Sequence, residues 1–137
     1  MRNNIRVLIV DDAEYIRTMT ISMLHNIDIH ITYEADNGQA ALDIIRSREI
    51  DLVLLDVVMP GMSGLVVLKD IRADATISAT KVILVTAAAD SKTILLARAN
   101  STRADAIIVK PFSVTTLREK IDQVMKYNGT RPAVSAR

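Results

Sequence analysis

Short runs of aliphatic and β-branched residues alternate along this chain with longer segments of helical period, and a parallel sheet wrapped by crossover helices requires that alternation. Four runs are apolar almost throughout, as strands covered on both faces must be: Ile5 to Val10, Leu52 to Leu55, Lys81 to Val85 and Ala106 to Val109. A further run, about Ile29 to Ala35, alternates polar with apolar residues and predicts an edge strand. Between the runs, Ile16, Met19, Met23 and Leu24 share a helical face, as do Leu65, Leu68 and Ile71, and then Leu117, Ile121, Val124 and Met125. Asn37 predicts the N-cap of a helix over Gly38 to Arg48, and Ser113, just beyond Pro111, that of the last helix. The expected architecture is α/β, a doubly wound (βα)5 sheet of five parallel strands.

The 137 residues fit one domain, and with 50% hydrophobic but only 3% aromatic residues its core must be aliphatic. The absence of cysteine removes disulfides, thiolate catalysis and the usual structural zinc sites. Lys and Arg number 17 against 16 Asp and Glu, so no global field draws in nucleic acid or an anionic membrane, and any activity must come from a local site. No window approaches the roughly 18 apolar residues of a membrane span, and Met1-Arg2-Asn3-Asn4 leads directly into the first run, so a cytoplasmic protein is expected. The domain is expected over residues 1–126. From Tyr127 to Arg137 the period is lost and Gly, Pro and Ser appear, which predicts a mobile tail or a clipped linker.

In open α/β sheets ligands bind at the carboxyl ends of the strands, so the residues after each run carry the chemistry. Here they are Asp11-Asp12, Asp56, Thr86 and Lys110-Pro111. Three carboxylates against one ammonium leave a formal charge of −2, which an apolar pocket does not hold unaided and a Mg²⁺ ion brings to zero. Magnesium takes one or two carboxylates together with waters and phosphate oxygens, so an open carboxylate pocket matches a phosphate carried on a metal. Taken singly, Asp11-Asp12 reads as a helix cap, Asp56 as a turn residue and Thr86 as a cap. Lys110 resists that treatment, because a lysine ending an apolar strand needs an anionic partner. Four such accidents at four strand ends make the site the better reading.

Over about Ile5 to Lys126 the chain resembles the receiver domains of two-component response regulators, of the single-domain chemotaxis type. The matching residues are Val10-Asp11-Asp12, Asp56-Val57-Val58-Met59-Pro60-Gly61-Met62-Ser63-Gly64, Thr86-Ala87 and Lys110-Pro111-Phe112, in order and each at an expected strand end. The resemblance implies a flavodoxin-like sheet of order 2-1-3-4-5. It also implies that Asp56 accepts a phosphoryl group from the phosphohistidine of a histidine kinase or phosphotransfer protein. Asp11, Asp12, Asp56 and the backbone carbonyl of Val58 would hold Mg²⁺, Lys110 would pair with the phosphoryl oxygens, and Thr86 would turn in to hydrogen-bond them.

Other uses of the fold fit less well. A flavin or nucleotide enzyme would need a Gly-rich cradle where Asp11-Asp12-Ala13-Glu14 stands. An aspartyl-phosphate phosphatase would place an acid at position 58, which is Val. A degenerate receiver that only docks is the alternative, and no basic recognition helix supports direct DNA binding. Pro60, Gly61 and Gly64 read as loop and helix-start residues without chemical roles, and Tyr15 as surface or groove lining. The family often carries polar side chains two residues past the phosphoacceptor and two past the Thr, where this chain has Val58 and Ala88; slow loss of the phosphoryl group is therefore expected. Ile107 stands where relatives commonly carry Tyr or Phe. A β-branched residue cannot swing as a ring does, so any switch is expected to run through Thr86 and the loop after it. The apolar Ala87-Ala88-Ala89 and Ile94-Leu95-Leu96 suggest that the surface of the fourth helix, fifth strand and fifth helix binds an effector or a second copy.

Overall fold

The computed structural model describes residues 4–87 and 103–126. Five parallel strands, β1 (Arg6–Val10), β2 (Ile31–Ala35), β3 (Leu52–Asp56), β4 (Lys81–Ala87) and β5 (Ala106–Lys110), form one sheet in the order β2-β1-β3-β4-β5. The helices are α1 (Glu14–Asn26), α2 (Gly38–Ser47), α3 (Gly64–Ala73) and, fifth in the expected alternation, α4 (Val114–Met125). The expected fourth helix with Ile94-Leu95-Leu96, the residues Ala88-Ala89, and the stretch 127–137 lie outside the described residues.

The strands alternate between two cores, because successive side chains leave opposite faces of a sheet. Leu8, Val10, Val53, Leu55, Val82 and Leu84 pack on one face with α2 and α3, through Leu42, Ile45, Val67, Leu68 and Ile71. Val7, Ile9, Leu52, Leu54, Ile83, Val85 and Ile108 pack on the other with α1 and α4, through Leu24, Leu117, Ile121 and Val124. Every residue of β3 is buried, as its central place demands, whereas β2 at the edge buries only Ala35 fully. Ile107, half-buried, rests on the α2/α3 core.

Helix starts follow the expected chemistry at three places. The side chains of Asn37, Ser63 and Ser113 accept from the backbone N–H of Ala40, Val66 and Thr116. Helix α1 differs: Ala13 is its N-cap, with no side-chain cap, so neither Asp11 nor Asp12 caps it. Of the expected stripe Leu24 is buried and Met23 packs partly against the core, but Met19 is 49% exposed and Thr20 is buried in its stead. Thr20 tolerates burial because its hydroxyl donates to the Ile16 carbonyl at 2.8 Å. Among the described residues no helix is long and apolar enough to cross a membrane.

Candidate phosphoacceptor site

The carboxyl ends of β1, β3, β4 and β5 bring the candidate residues together. Three of them end their strands from within: Asp56 is the last residue of β3, Lys110 the last of β5, and Thr86 the last but one of β4, where each run was expected to stop one or two residues sooner. Parallel pairing carries the ladders that far, with Asp56 opposite Val85, Thr86 opposite Val109 and Ala87 opposite Lys110. Asp56, Thr86 and Lys110 are thus held by the ladder of the sheet, whereas Asp11 and Asp12 stand in the loop after β1.

Carboxylate oxygens of Asp11, Asp12 and Asp56 lie within 4.8 Å of one another. Asp11 and Asp56 are buried and Asp12 is exposed, so the cluster has a closed floor and an open mouth. Lys110 Nζ sits 3.3 Å from Asp56 Oδ1 and 3.4 Å from Asp11 Oδ2. The donor set is hard oxygen with one side open to solvent, which suits Mg²⁺ with waters and one further oxyanion. Burial, with Asp11 adding to it, pushes the Asp56 carboxyl up to about 6 against the pull of Lys110. Burial works to lower Lys110, but Asp56 and Asp11 prevail and hold the ammonium above the usual lysine value.

The Thr86 hydroxyl is buried and has no hydrogen-bond partner among the described residues. An unsatisfied buried hydroxyl costs about 1–3 kcal/mol, so the arrangement favours the arrival of an acceptor. A cavity of about 580 Å³ opens beside the carboxylates, walled by Tyr15, Ile16, Met19 and Met23 of α1 and by Phe112 after β5. Val58 lines its rim, 63% exposed, as does Tyr15 at 73%. Lys110 and Pro111 are joined by a cis peptide bond.

Two residues gain weight that the sequence alone did not give them. Gly64 begins α3 as expected, but a Cβ there would fall on the Asp56 carbonyl and within 2.9 Å of Val57 Cα, so glycine is what lets the loop after β3 close against the strand that carries Asp56. The second is Arg17, whose guanidinium reaches the Asp11 carbonyl. No periodic or motif signal marks an arginine on an amphipathic helix as anything but solvated.

Residues 7–122 match the family described as the response regulator receiver domain. The chain belongs to that family. It is 36% identical over 126 residues to the chemotaxis protein CheY-3 of Vibrio cholerae serotype O1, covering 92% of this chain and 95% of the relative. To the chemotaxis protein CheY of Pseudomonas aeruginosa it is 34% identical over 121 residues, covering 88% and 96%. Among solved structures, the response regulator TrrA of Thermotoga maritima in complex with Mg²⁺-BeF superposes with a TM-score of 0.74 at 34% identity, covering 88% of this chain and 98% of that one. Vibrio cholerae CheY4 gives 0.78 at 27%, again covering 88% and 98%. The receiver thus has the flavodoxin-like order expected of it, and its Asp cluster is compatible with Mg²⁺.

Proposed function

We propose that this receiver takes a phosphoryl group onto Asp56 from the phosphohistidine of a histidine kinase or phosphotransfer protein. An Asp56 carboxylate oxygen attacks phosphorus, the P–N bond breaks, and its electron pair returns to the imidazole nitrogen. Lys110, already beside Asp56, pairs with the phosphoryl oxygens as their charge spreads. Asp11, Asp12, Asp56 and the Val58 carbonyl would hold Mg²⁺, which when bound neutralises oxyanion charge and keeps Asp56 ionised. Self-catalysed uptake and slow loss of the group are the only chemistry in this reading; the protein is a signalling switch rather than an enzyme acting on a separate substrate.

One observation carries the proposal beyond a plain cation site: the hydroxyl of Thr86, without a partner among the described residues and buried at the end of the strand between those of Asp56 and Lys110. A metal alone needs no hydroxyl donor there, whereas a phosphoryl oxygen does. Once Thr86 has turned toward such an oxygen, the backbone after β4 follows. The effector surface in this reading is β5 and α4 with the helical segment expected within 88–102, open to a protein partner or a second copy; neither nucleic acid nor membrane is a direct partner. Val109, 37% exposed on the edge strand β5, belongs to it. Residues 1–126 suffice for uptake and 127–137 are dispensable. Kinase partnership of this kind places the action in the cytoplasm.

Incubation with a small phosphodonor, with and without Mg²⁺, followed by intact mass, tests this. Gain of a single phosphoryl group that requires Mg²⁺ supports the reading. No gain under any condition would leave the alternative, a degenerate receiver acting as a docking module.

A further inference from the structure

The β1–α1 loop carries two of the three carboxylates, and one side chain outside the pocket fixes its backbone. Arg17, on the first turn of α1, has its side chain only 14% exposed and donates from Nη1 to the backbone carbonyl of Asp11 at 2.8 Å. Its Nε donates to Glu34 Oε1 at 2.9 Å, so one guanidinium ties α1 to β2 and to the residue that follows β1. The other groups of Asp11 have partners of their own: its N–H donates to the Ala35 carbonyl at 3.2 Å, its Oδ1 accepts from Ala13 N–H at 2.9 Å, and its Oδ2 accepts from Lys110 Nζ at 3.4 Å. Helix α1 alone among the described helices lacks a side-chain cap, so its entry is not fixed locally in the way that Asn37, Ser63 and Ser113 fix the others.

We propose that Arg17 is a positioning residue for the metal site. With Glu34 anchoring its fork, it fixes the Asp11 carbonyl, and thereby the direction in which the Asp11 and Asp12 carboxylates point and the affinity with which they take Mg²⁺. This rests on the Mg²⁺ reading above. A planar fork suits the task because it donates in two fixed directions at once, which an ammonium does not. The simpler electrostatic view makes the opposite prediction: a cation beside a cation site repels Mg²⁺, so deleting Arg17 should tighten binding. The sign of the effect therefore decides between orientation and charge.

The experiment titrates Mg²⁺ into the whole protein by amide NMR shifts for the wild type, Arg17→Ala and Glu34→Gln, with hydrogen exchange recorded on the metal-free forms. Groups that orient metal ligands are typically worth 10–100-fold in affinity, so Arg17→Ala is expected to weaken Mg²⁺ binding about tenfold. In the metal-free variant the amides of Asp11 and Ala13 should exchange faster while those of Leu52 to Asp56 keep their protection. Glu34→Gln should move affinity in the same direction by less; it changes only an exposed edge-strand residue and keeps the test open should Arg17→Ala not fold. Equal or tighter Mg²⁺ binding in the variants overturns the inference, whatever happens to thermal stability. A wild type that does not bind Mg²⁺ sinks the metal reading itself, a result the first titration shows before any variant is compared.

Discussion

Lys110 stands 3.3 Å from Asp56 although their strands, β5 and β3, are not neighbours; β4 lies between them, and the ammonium bridges over its end. The contact keeps a buried carboxylate usable as a nucleophile and supplies a donor where phosphoryl charge develops. Removing one such preorganised donor typically costs about 10²–10³ in rate. Lys110→Ala should therefore slow phosphoryl uptake from a small donor by about 10²-fold at saturating Mg²⁺, read as the rate of mass gain. An unchanged rate would remove Lys110 from the chemistry.

The raised Asp56 carboxyl has a consequence for stability with a definite sign. Between the ordinary carboxylate value of 3.8 and about 6, the folded metal-free protein holds a proton that the unfolded chain has lost. Stability must fall as pH rises through that window, and the penalty is complete above it. Asp56→Asn should abolish this slope and raise metal-free stability above pH 6 by on the order of 1–2 kcal/mol after solvent screening. Millimolar Mg²⁺ should raise the melting temperature of the wild type and leave Asp12→Ala unmoved. Urea melts across the window test the first part; a wild type whose stability rises from pH 4 to pH 6 as steeply as the variant's would contradict it.

Gly64 donates from its N–H to the Val57 carbonyl at 2.8 Å, so the loop after β3 is pinned where a side chain has no room. Gly64→Ala should cost about 1–3 kcal/mol by overpacking, seen as a lower urea midpoint. The same displacement reaches the Asp56 backbone, so phosphoryl uptake should slow as well. A variant as stable as the wild type would show that the loop yields without consequence.

Val58 projects at the pocket rim with no group able to orient a water, and Ala88 supplies none from its sequence position. Val58→Asn combined with Ala88→Glu should shorten the lifetime of the phosphorylated form at least about tenfold, a modest share of what positioned acid–base groups contribute. Phosphate release at equal rates in wild type and variant would count against the account of slow hydrolysis.

Much of this was legible in the chain because burial writes itself into sequence. Leu52 to Leu55 reads as a central strand because its short apolar run stops at Asp56, whereas Leu65 to Leu68, equally apolar, runs on into helical period through Ile71, and the acidic rim follows from where such strands end. Strand ends themselves were harder to place. Asp56, Thr86 and Lys110 are polar and look like the residues after a strand, but parallel pairing with Val85, Val109 and Ala87 extends the ladder through them. Met19 falls on the apolar stripe by spacing yet stands at the mouth of the cavity, where Thr20, satisfied by the Ile16 carbonyl, takes the core position instead. Arg17 was invisible for a different reason: its role depends on the Asp11 carbonyl and Glu34 meeting across three elements, which no spacing encodes.

The most direct test of the central claim is to locate the phosphoryl group. Protein phosphorylated by a small donor with Mg²⁺ is reduced with borohydride, which converts an aspartyl phosphate to homoserine, and digested for tandem mass spectrometry. Homoserine at position 56 alone, with no mass gain in Asp56→Asn, is the result expected. Modification at Asp11 or Asp12 with Asp56 untouched, or full mass gain in Asp56→Asn, would contradict the assignment of Asp56 as phosphoacceptor.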